Sequence, residues 1–427
     1  MTYKEAEEYL YTRLPMYQRI GEPALKPNLD NTQKLLDALK KPHQAFKTVH
    51  IAGTNGKGSS AHSIASVLQA AGYKTGLYTS PHLKNFTERI KIDGVEVARN
   101  FVINFVEKNQ SLIESVAPSF FELTVAMAFD YFRNESVDIA IIEVGLGGRL
   151  DSTNVIRPEV SLITMIGWDH ANLLGNTLDK IAFEKAGIIK SGIPVVIGTS
   201  QPDLLPVFLK KAEEEKAPLH LAQDVTLEEF KDEIFTKHKV KIEDQMMEIL
   251  FDIRGSYYLK NIPGIIKTIL LLRKKGWVIS DQAIKNGLEH VTKSTGLKGR
   301  WQLLQQWPIT IADVGHNQDG LQELFAQVSK TIHNHLHLIY GTVDDKDVEK
   351  ILSLFPKTNT TYYFTTAAVP RAMTMTKLHQ AAKNSGLEGE PFASVNLALN
   401  AAKKVANRED IILVCGSTFV VAEIENL

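Results

Sequence analysis

The stretch Lys47-Thr-Val-His-Ile-Ala-Gly53-Thr-Asn-Gly56-Lys57-Gly58-Ser59-Ser60 decides the fold. Its β-branched, apolar start predicts a buried strand. Three glycines and one lysine follow, and Ser59 to Ala71 then has the apolar period of a helix closed by Gly72. That order makes a phosphate cradle. Glycines let backbone N–H groups converge on an anion, the helix N-terminus adds partial positive charge, and Lys57 supplies a full charge to β and γ phosphates. Ser59 or Ser60 can offer a hydroxyl to Mg²⁺. The spacing is not that of G-x-x-x-x-G-K-[ST]: Gly53 precedes Lys57 by four residues instead of six, and Gly58 separates the lysine from Ser59. A plain glycine turn is the alternative, but the glycines and lysine between strand and helix favour a nucleotide site.

The remaining composition sets the frame. A chain of 427 residues with 44% apolar residues predicts two or three domains with full cores. Forty-eight basic and 49 acidic residues leave a net charge of −1, which argues against nucleic acid or an anionic membrane as partner. The single cysteine, Cys415, sits in the apolar run Ile411-Ile-Leu-Val-Cys415 and reads as a small core residue in a reducing compartment. An acidic N-terminal stretch and the lack of any run of about 18 apolar residues predict neither a signal peptide nor a membrane span. A cytoplasmic enzyme is expected.

Before the cradle lie two helical patterns, near Lys4 to Leu14 and Thr32 to Leu39, joined by a loop with Pro15, Gly21, Pro23 and Pro27. After it, a strand from Tyr73 runs into Thr79-Ser80-Pro81-His82, which puts Ser80 at a strand end as a second hydroxyl ligand or a turn residue. Ser119 opens a long apolar helix to Phe132, and Val137-Asp-Ile-Ala-Ile-Ile-Glu143 reads as a buried strand delivering a carboxylate to the sheet edge, where Mg²⁺ on a nucleotide needs a hard oxygen. The turn Gly145 to Gly148 lets a substrate approach backbone closely. The next strand, from Val160, ends in Asp169-His170, and a helix from Thr177 carries Lys185. Singly, His170 and Lys185 have ordinary structural readings; together they aim at one crevice. A short antiparallel section is expected from Lys239 to Ile253, helices over Tyr257 to Lys275 and Asp281 to His290, and an interdomain linker over Thr292 to Gly299. Strands near Thr310, His337, Tyr362 and Ile411 then alternate with helices. The fold class is therefore α/β: a large P-loop-type, mostly parallel domain over residues 1–295 and a smaller Rossmann-like α/β domain over 296–427. Ligands are expected where both sheets present strand ends.

Gly53-Thr-Asn-Gly-Lys-Gly-Ser59, Thr79-Ser-Pro-His82, Glu143-Val-Gly-Leu-Gly-Gly-Arg-Leu-Asp151-Ser-Thr-Asn154, Asp169-His170, Glu184-Lys-Ala-Gly-Ile-Ile-Lys190, Gly299-Arg300 and Asp313-Val-Gly-His316-Asn317 together resemble the folylpolyglutamate synthase/dihydrofolate synthase family of the Mur-ligase superfamily. They run in family order along nearly the whole chain. The resemblance implies an ATP-dependent amide ligase adding L-glutamate to dihydropteroate, to reduced folates, or to both, through an acyl phosphate. By position it implies Gly56, Lys57, Gly58 and Ser59 as the ATP phosphate loop, and Asn261, Arg300 and Asp313 as further ATP contacts. Ser80 and Glu143 would hold one Mg²⁺ and His170 a second, with Lys185 carried as a carbamate. Asn28, Leu29, Asp30, Ser119, Phe120, Phe121, Leu150, Asp151 and Ser152 correspond to the pterin side, and His316 to the glutamate side. The catalytic set implied is Lys57, Lys185 and His316.

The chain departs from the family at Tyr257-Tyr258, where His-Gln is common, at Asp313-Val-Gly in place of Asp-Gly-Ala, and at Asn28-Leu-Asp30 in place of Gly-Leu-Glu. A cell-wall-precursor ligase of the same superfamily is the nearest rival, but it needs a separate nucleotide-sugar domain, and only 52 residues precede Gly53. A nucleotide switch would leave Glu143, His170 and Lys185 unexplained. A monomer with small-molecule partners is expected.

Overall fold

The computed structural model describes all residues except 22–23, 25, 27, 232–235, 243–244 and 345–346. Pro23 and Pro27 of the predicted N-terminal loop, and Glu243 and Asp244 of the predicted antiparallel section, lie outside the described residues. The chain forms two compact units: Met1–Asp252 with Tyr258–Leu297, and Ile253–Tyr257 with Lys298–Leu427.

The first unit is built on strands β1 (Lys47–Ala52), β2 (Thr75–Tyr78), β3 (Ile90–Ile92), β4 (Val95–Glu96), β5 (Ile139–Glu143), β6 (Val160–Ile163), β7 (Val195–Ile197) and β8 (Leu219–Leu221), ordered β4-β3-β2-β5-β1-β6-β7-β8. All neighbours from β2 to β8 pair in parallel; β3 and β4 add an antiparallel edge. The five residues of β1 after Lys47 are buried, as a central parallel strand covered on both faces requires. Because β1 runs between β5 and β6, the ends of all three deliver their following residues to one crevice. A separate sheet joins β9 (Leu227–Lys231), β10 (Thr236–Ile242) and β11 (Gln245–Ile249), one strand more than the predicted antiparallel section covers.

The helix after the cradle, Lys57–Ala70, is buried on nearly every side, so its neighbours must approach closely. Helix Asp281–Glu289 does so at Gly287, where a Cβ would stand 2.4 Å from the Val67 Cα, and the Ser66 hydroxyl donates to the Gly287 carbonyl at 2.6 Å. The start of the predicted linker Thr292–Gly299 is helical, since Val291–Thr295 forms a short helix with Thr295 fully buried, and the chain passes between the two units within that span, from Leu297 to Lys298. The Thr295 hydroxyl donates to the Val291 carbonyl at 2.6 Å and so accepts from His62 Nδ1 at 2.7 Å, while the buried Lys91 donates to the Thr295 carbonyl at 2.9 Å. A cation on the last carbonyls satisfies acceptors that the helix itself cannot. Polar composition suggested a solvated linker because these partners are remote in sequence.

The second unit is a six-stranded sheet of β12 (Gln302–Gln306), β13 (Ile309–Ala312), β14 (Leu336–Tyr340), β15 (Thr360–Thr365), β16 (Gly389–Phe392) and β17 (Ile411–Cys415), ordered β12-β13-β17-β14-β15-β16. Only β12 is antiparallel. Cys415 is buried in its core, and burial raises its thiol pKa well above the ordinary range. Among the described residues, no helix is long and apolar enough to cross a membrane.

Gly287→Ala is expected to lower stability by ~1–3 kcal/mol, because two helix backbones must separate to admit one methyl. Urea unfolding monitored by circular dichroism measures it; an unchanged midpoint would show that the helices can part freely.

Candidate active site

The cradle is held by steric necessity. Gly53 has φ +147° and a Cβ there would meet Thr164 Oγ1 at 1.8 Å; Gly56, at φ +91°, would meet Asn261 Oδ1 at 2.2 Å. Only glycine fits either place. Gly56 caps the 14-residue helix that begins with Lys57, whose first N–H groups have no partner within the helix. The loop is also tied to the end of β6. Thr54 N–H donates to the Met165 carbonyl at 2.7 Å, the Gly167 N–H to Thr54 Oγ1 at 3.0 Å, and the Thr164 hydroxyl to the Asn55 carbonyl at 2.8 Å. Asn261, a buried helix N-cap, thus lies against the glycine that opens the phosphate helix.

Two lysines meet on one carbonyl. Lys57 Nζ donates to the Gly53 and Thr54 carbonyls at 3.1 and 3.0 Å, and Lys185 Nζ donates to the same Gly53 carbonyl at 2.8 Å. Lys185 is 4% exposed. Burial, reinforced by the Lys57 charge and opposed by Asp169 and Asp151, pushes its pKa down to about 7. The helix that carries it, Leu178–Ala186, is locked to the glycine turn after β5. Arg149 N–H donates to the Glu184 carbonyl at 2.8 Å, its guanidinium pairs with the Glu184 carboxylate at 2.8 Å, and a Cβ on Gly187 would stand 2.3 Å from the Arg149 Cα.

Glu143, at the end of β5, is 5% exposed and accepts the Ser80 N–H at 3.1 Å, so the structure brings these two predicted metal ligands together. His170 follows β6 at φ +50° and lies against Tyr17, whose hydroxyl is 3.2 Å from His170 Nδ1. Among the described residues no three His, Cys, Asp or Glu side chains gather into a metal site. A Mg²⁺ carried by phosphates needs only one or two carboxylates, with water and phosphate oxygens completing its shell, so a buried Glu143 beside Ser80 suits it. The donor set therefore fits a nucleotide with its metal.

The residues expected on the pterin side fall into groups. Ser119 caps helix Phe120–Asn134 through a reciprocal pair with Glu122. Phe120, 2% exposed, is a core residue with the Arg89 guanidinium 5.1 Å from its ring centre, whereas half-buried Phe121 packs on Gly145, where a Cβ would meet its ring at 2.4 Å. Asp151 and Ser152 are buried and Leu150 is exposed. Asp151 accepts Leu146 N–H at 2.8 Å, Thr153 N–H at 3.0 Å and the Thr153 hydroxyl at 2.5 Å. Burial raises its pKa, against those hydrogen bonds. Thr153 also meets His50 Nε2 at 2.9 Å. Asn28 and Asp30 are exposed at the start of helix Asp30–Ala38, with Leu29 as its N-cap and Asn28 Oδ1 accepting the Asp30 N–H at 3.2 Å.

In the second unit Asp313, 3% exposed, directly follows β13 and accepts Trp301 N–H at 2.7 Å, Gly315 N–H at 2.8 Å and the Tyr257 hydroxyl. Burial and the Asp313 charge raise the Tyr257 pKa well above its ordinary value. Arg300 donates to the Gly299 carbonyl at 3.2 Å, and His316 Nδ1 donates to the Val314 carbonyl at 3.0 Å. Sequence reasoning did not find Tyr17, His50, Thr153 or Tyr257 as partners of these groups. Tyr257 alone carried a signal, as a departure from the family pattern.

A strand, glycine cradle and lysine helix, followed by a second α/β unit, is the organisation of Mur-type ligases, and two family models match accordingly: Mur ligase middle domain over residues 51–264 and Mur ligase, glutamate ligase domain over 299–418. The dihydrofolate synthase/folylpolyglutamate synthase of Bacillus subtilis (strain 168) is 32% identical over 435 residues, covering 99% of this chain and 98% of that one. Escherichia coli FolC in complex with DHPP and ADP superposes with TM-score 0.85 at 28% identity, covering 99% and 97%. The bifunctional folylpolyglutamate synthase/dihydrofolate synthase with Mn, AMPPNP and L-glutamate bound gives TM-score 0.83 at 26% identity, covering 99% and 97%. This chain belongs to the dihydrofolate synthase/folylpolyglutamate synthase family of Mur ligases.

His50 is fully buried, and burial with the Lys190 charge nearby pushes its pKa down to about 3. Between about pH 6.5 and pH 3 the unfolded chain binds a proton there that the folded chain does not, so stability must fall as pH falls through this window, by up to ~4–5 kcal/mol. Melting temperatures from pH 7 to pH 4 should show a shallower acid loss in His50→Gln than in the parent. Equal slopes would refute the assignment.

Proposed function

We propose that this protein is an ATP-dependent ligase that joins L-glutamate to dihydropteroate and to reduced folates. The observation that carries the reading is the convergence of Lys57 and Lys185 on the Gly53 carbonyl, next to the strand that delivers Glu143, in a chain related along its whole length to enzymes of that name. A carboxylate is a poor electrophile. The acceptor's carboxylate therefore takes the γ-phosphoryl group of ATP, releasing ADP and giving an acyl phosphate. The glutamate amine attacks the acyl carbon, and the tetrahedral adduct collapses to amide and phosphate.

In this reading Gly56, Gly58 and Ser59 present backbone N–H groups to the phosphates, Lys57 places a charge on them, and Asn261, Arg300 and Asp313 hold the rest of the nucleotide. Ser80 and Glu143 would hold one Mg²⁺ and His170 a second, and these ions, when bound, would neutralise charge gathered on the transferring phosphoryl oxygens. Phe121 offers a ring face to a flat pteridine, with Ser119, Phe120, Leu150, Asp151 and Ser152 shaping that side and Asn28, Leu29 and Asp30 its N-terminal border. His316 serves glutamate.

Lys185 as an ammonium would repel a metal held by Ser80 and Glu143 or by His170. A pKa near 7 keeps a neutral amine available for carbon dioxide: Lys185 Nζ bonds the carbon and releases one proton, leaving a carbamate. The carbamate nitrogen retains one hydrogen, which preserves the bond to Gly53.

Phosphate release with MgATP and L-glutamate, comparing dihydropteroate with tetrahydrofolate and weighing the products, is the direct test. Both acceptors should turn over; release with neither would end the folate reading. Native mass spectrometry should find about 44 extra mass units at Lys185, and Lys185→Ala should lose activity that acetate partly restores. Full activity of that variant without additive would refute the carbamate. Glu143→Ala should lower turnover at least ~100-fold with little change in melting temperature, whereas a matching loss of stability would mark a structural carboxylate.

A further inference from the structure

Asp151 lies on the acceptor side of the proposed site, yet its carboxylate is spent inside the protein. Both oxygens accept backbone N–H groups, one from Leu146 at 2.8 Å and one from Thr153 at 3.0 Å, so the group is an acceptor at each end. The Thr153 hydroxyl carries one hydrogen and gives it to Asp151 Oδ1 at 2.5 Å. Its oxygen must then accept from His50 Nε2 at 2.9 Å, which places the ring proton on Nε2 and leaves Nδ1 bare. That bare nitrogen is buried without a hydrogen-bond partner. An orphan acceptor of this kind is destabilising, and an aliphatic residue in the same strand would avoid it. The arrangement sacrifices stability for a hydrogen bond of fixed direction.

The far end of this relay is the glycine turn. Asp151 Oδ2 would stand 3.2 Å from a Cβ on Gly145, and the Phe121 ring would stand 2.4 Å from it, so carboxylate, ring and turn form one packed contact. We propose that His50 and Thr153 are positioning residues that hold Asp151, and through it the Gly145–Gly148 turn and Phe121, in the geometry that receives the pteridine acceptor. The assignment rests on the folate-ligase reading for the identity of the acceptor. His50 also lies on the strand that leads into the phosphate loop, so support of nucleotide binding is the competing role.

Steady-state kinetics of near-isosteric pairs separate the two. Thr153→Val removes the relay and Thr153→Ser keeps it; His50→Leu removes the donor and His50→Gln replaces Nε2 with an amide N–H at similar reach. Thr153→Val and His50→Leu should raise KM for the pteridine acceptor ~10–100-fold, with KM for MgATP changed less than about twofold, and Thr153→Ser and His50→Gln should stay near the parent. The double variant His50→Leu with Thr153→Val should be no worse than either alone, since both cut one path. A parallel rise in KM for MgATP, or Thr153→Val indistinguishable from Thr153→Ser, would overturn the proposal. Amide hydrogen exchange of the substrate-free protein provides the independent readout: the segment 145–150 should exchange faster in Thr153→Val and not in Thr153→Ser. If the parent uses no pteridine acceptor, the functional reading fails, and unchanged exchange in Thr153→Val would separately sink the relay.

Discussion

One carbonyl oxygen with two amines on it sets the terms for the first unit. The Gly53 carbonyl receives Lys57 from the helix that follows the cradle and Lys185 from a helix 132 residues later, while the missing Cβ of Gly53 leaves room for the Thr164 side chain at the end of β6. The contact brings a buried amine close to another charge, and the cost appears as the lowered pKa of Lys185. Everything around it is a brace. The Thr54 and Asn55 bonds to the end of β6 hold the loop, and the Arg149–Glu184 pair with Gly187 holds the second helix. Burial alone would favour an aliphatic residue in that place.

The same economy holds for two buried carboxylates, whose oxygens are consumed by the scaffold and are not presented to solvent. Asp151 spends its carboxylate on the turn that contains Leu146, and Asp313 does likewise for the loop after β13. Such carboxylates stabilise loops whose glycines give them no side chains to pack. Preorganisation of this kind lowers the entropic cost of binding a flat, polar ligand.

Much of this was legible in the sequence, and the reason is locality. Buried strand, glycine cradle and helix write a continuous pattern over residues 47–71, and the ends of β2 and β5 fix where Ser80 and Glu143 emerge without any knowledge of their partners, whereas His170 comes seven residues after the last residue of β6. The illegible parts are pairings between distant residues. The His50–Thr153 bond spans 103 positions and the His62–Thr295 bond 233, and neither leaves a local mark. The latter is why a polar stretch at Thr292 read as a linker although its helix is buried against the larger unit. Short or polar strands such as β3, β4, β12 and β16 were missed because two to five residues show too little alternation to stand apart from turns.

The partner of Asp313 has an architectural consequence. Tyr257 lies in the five-residue segment Ile253–Tyr257, which belongs to the second unit although the chain returns to the first unit for the next forty residues. The units are therefore interleaved: no single cut of the polypeptide separates them cleanly. A fragment beginning at Lys298 would contain Asp313, Trp301 and Gly315 but not the phenol that completes the set. Exchange of the second unit between relatives at one junction near Lys298 would take residue 257 from one parent and residue 313 from the other, although both belong to the same unit.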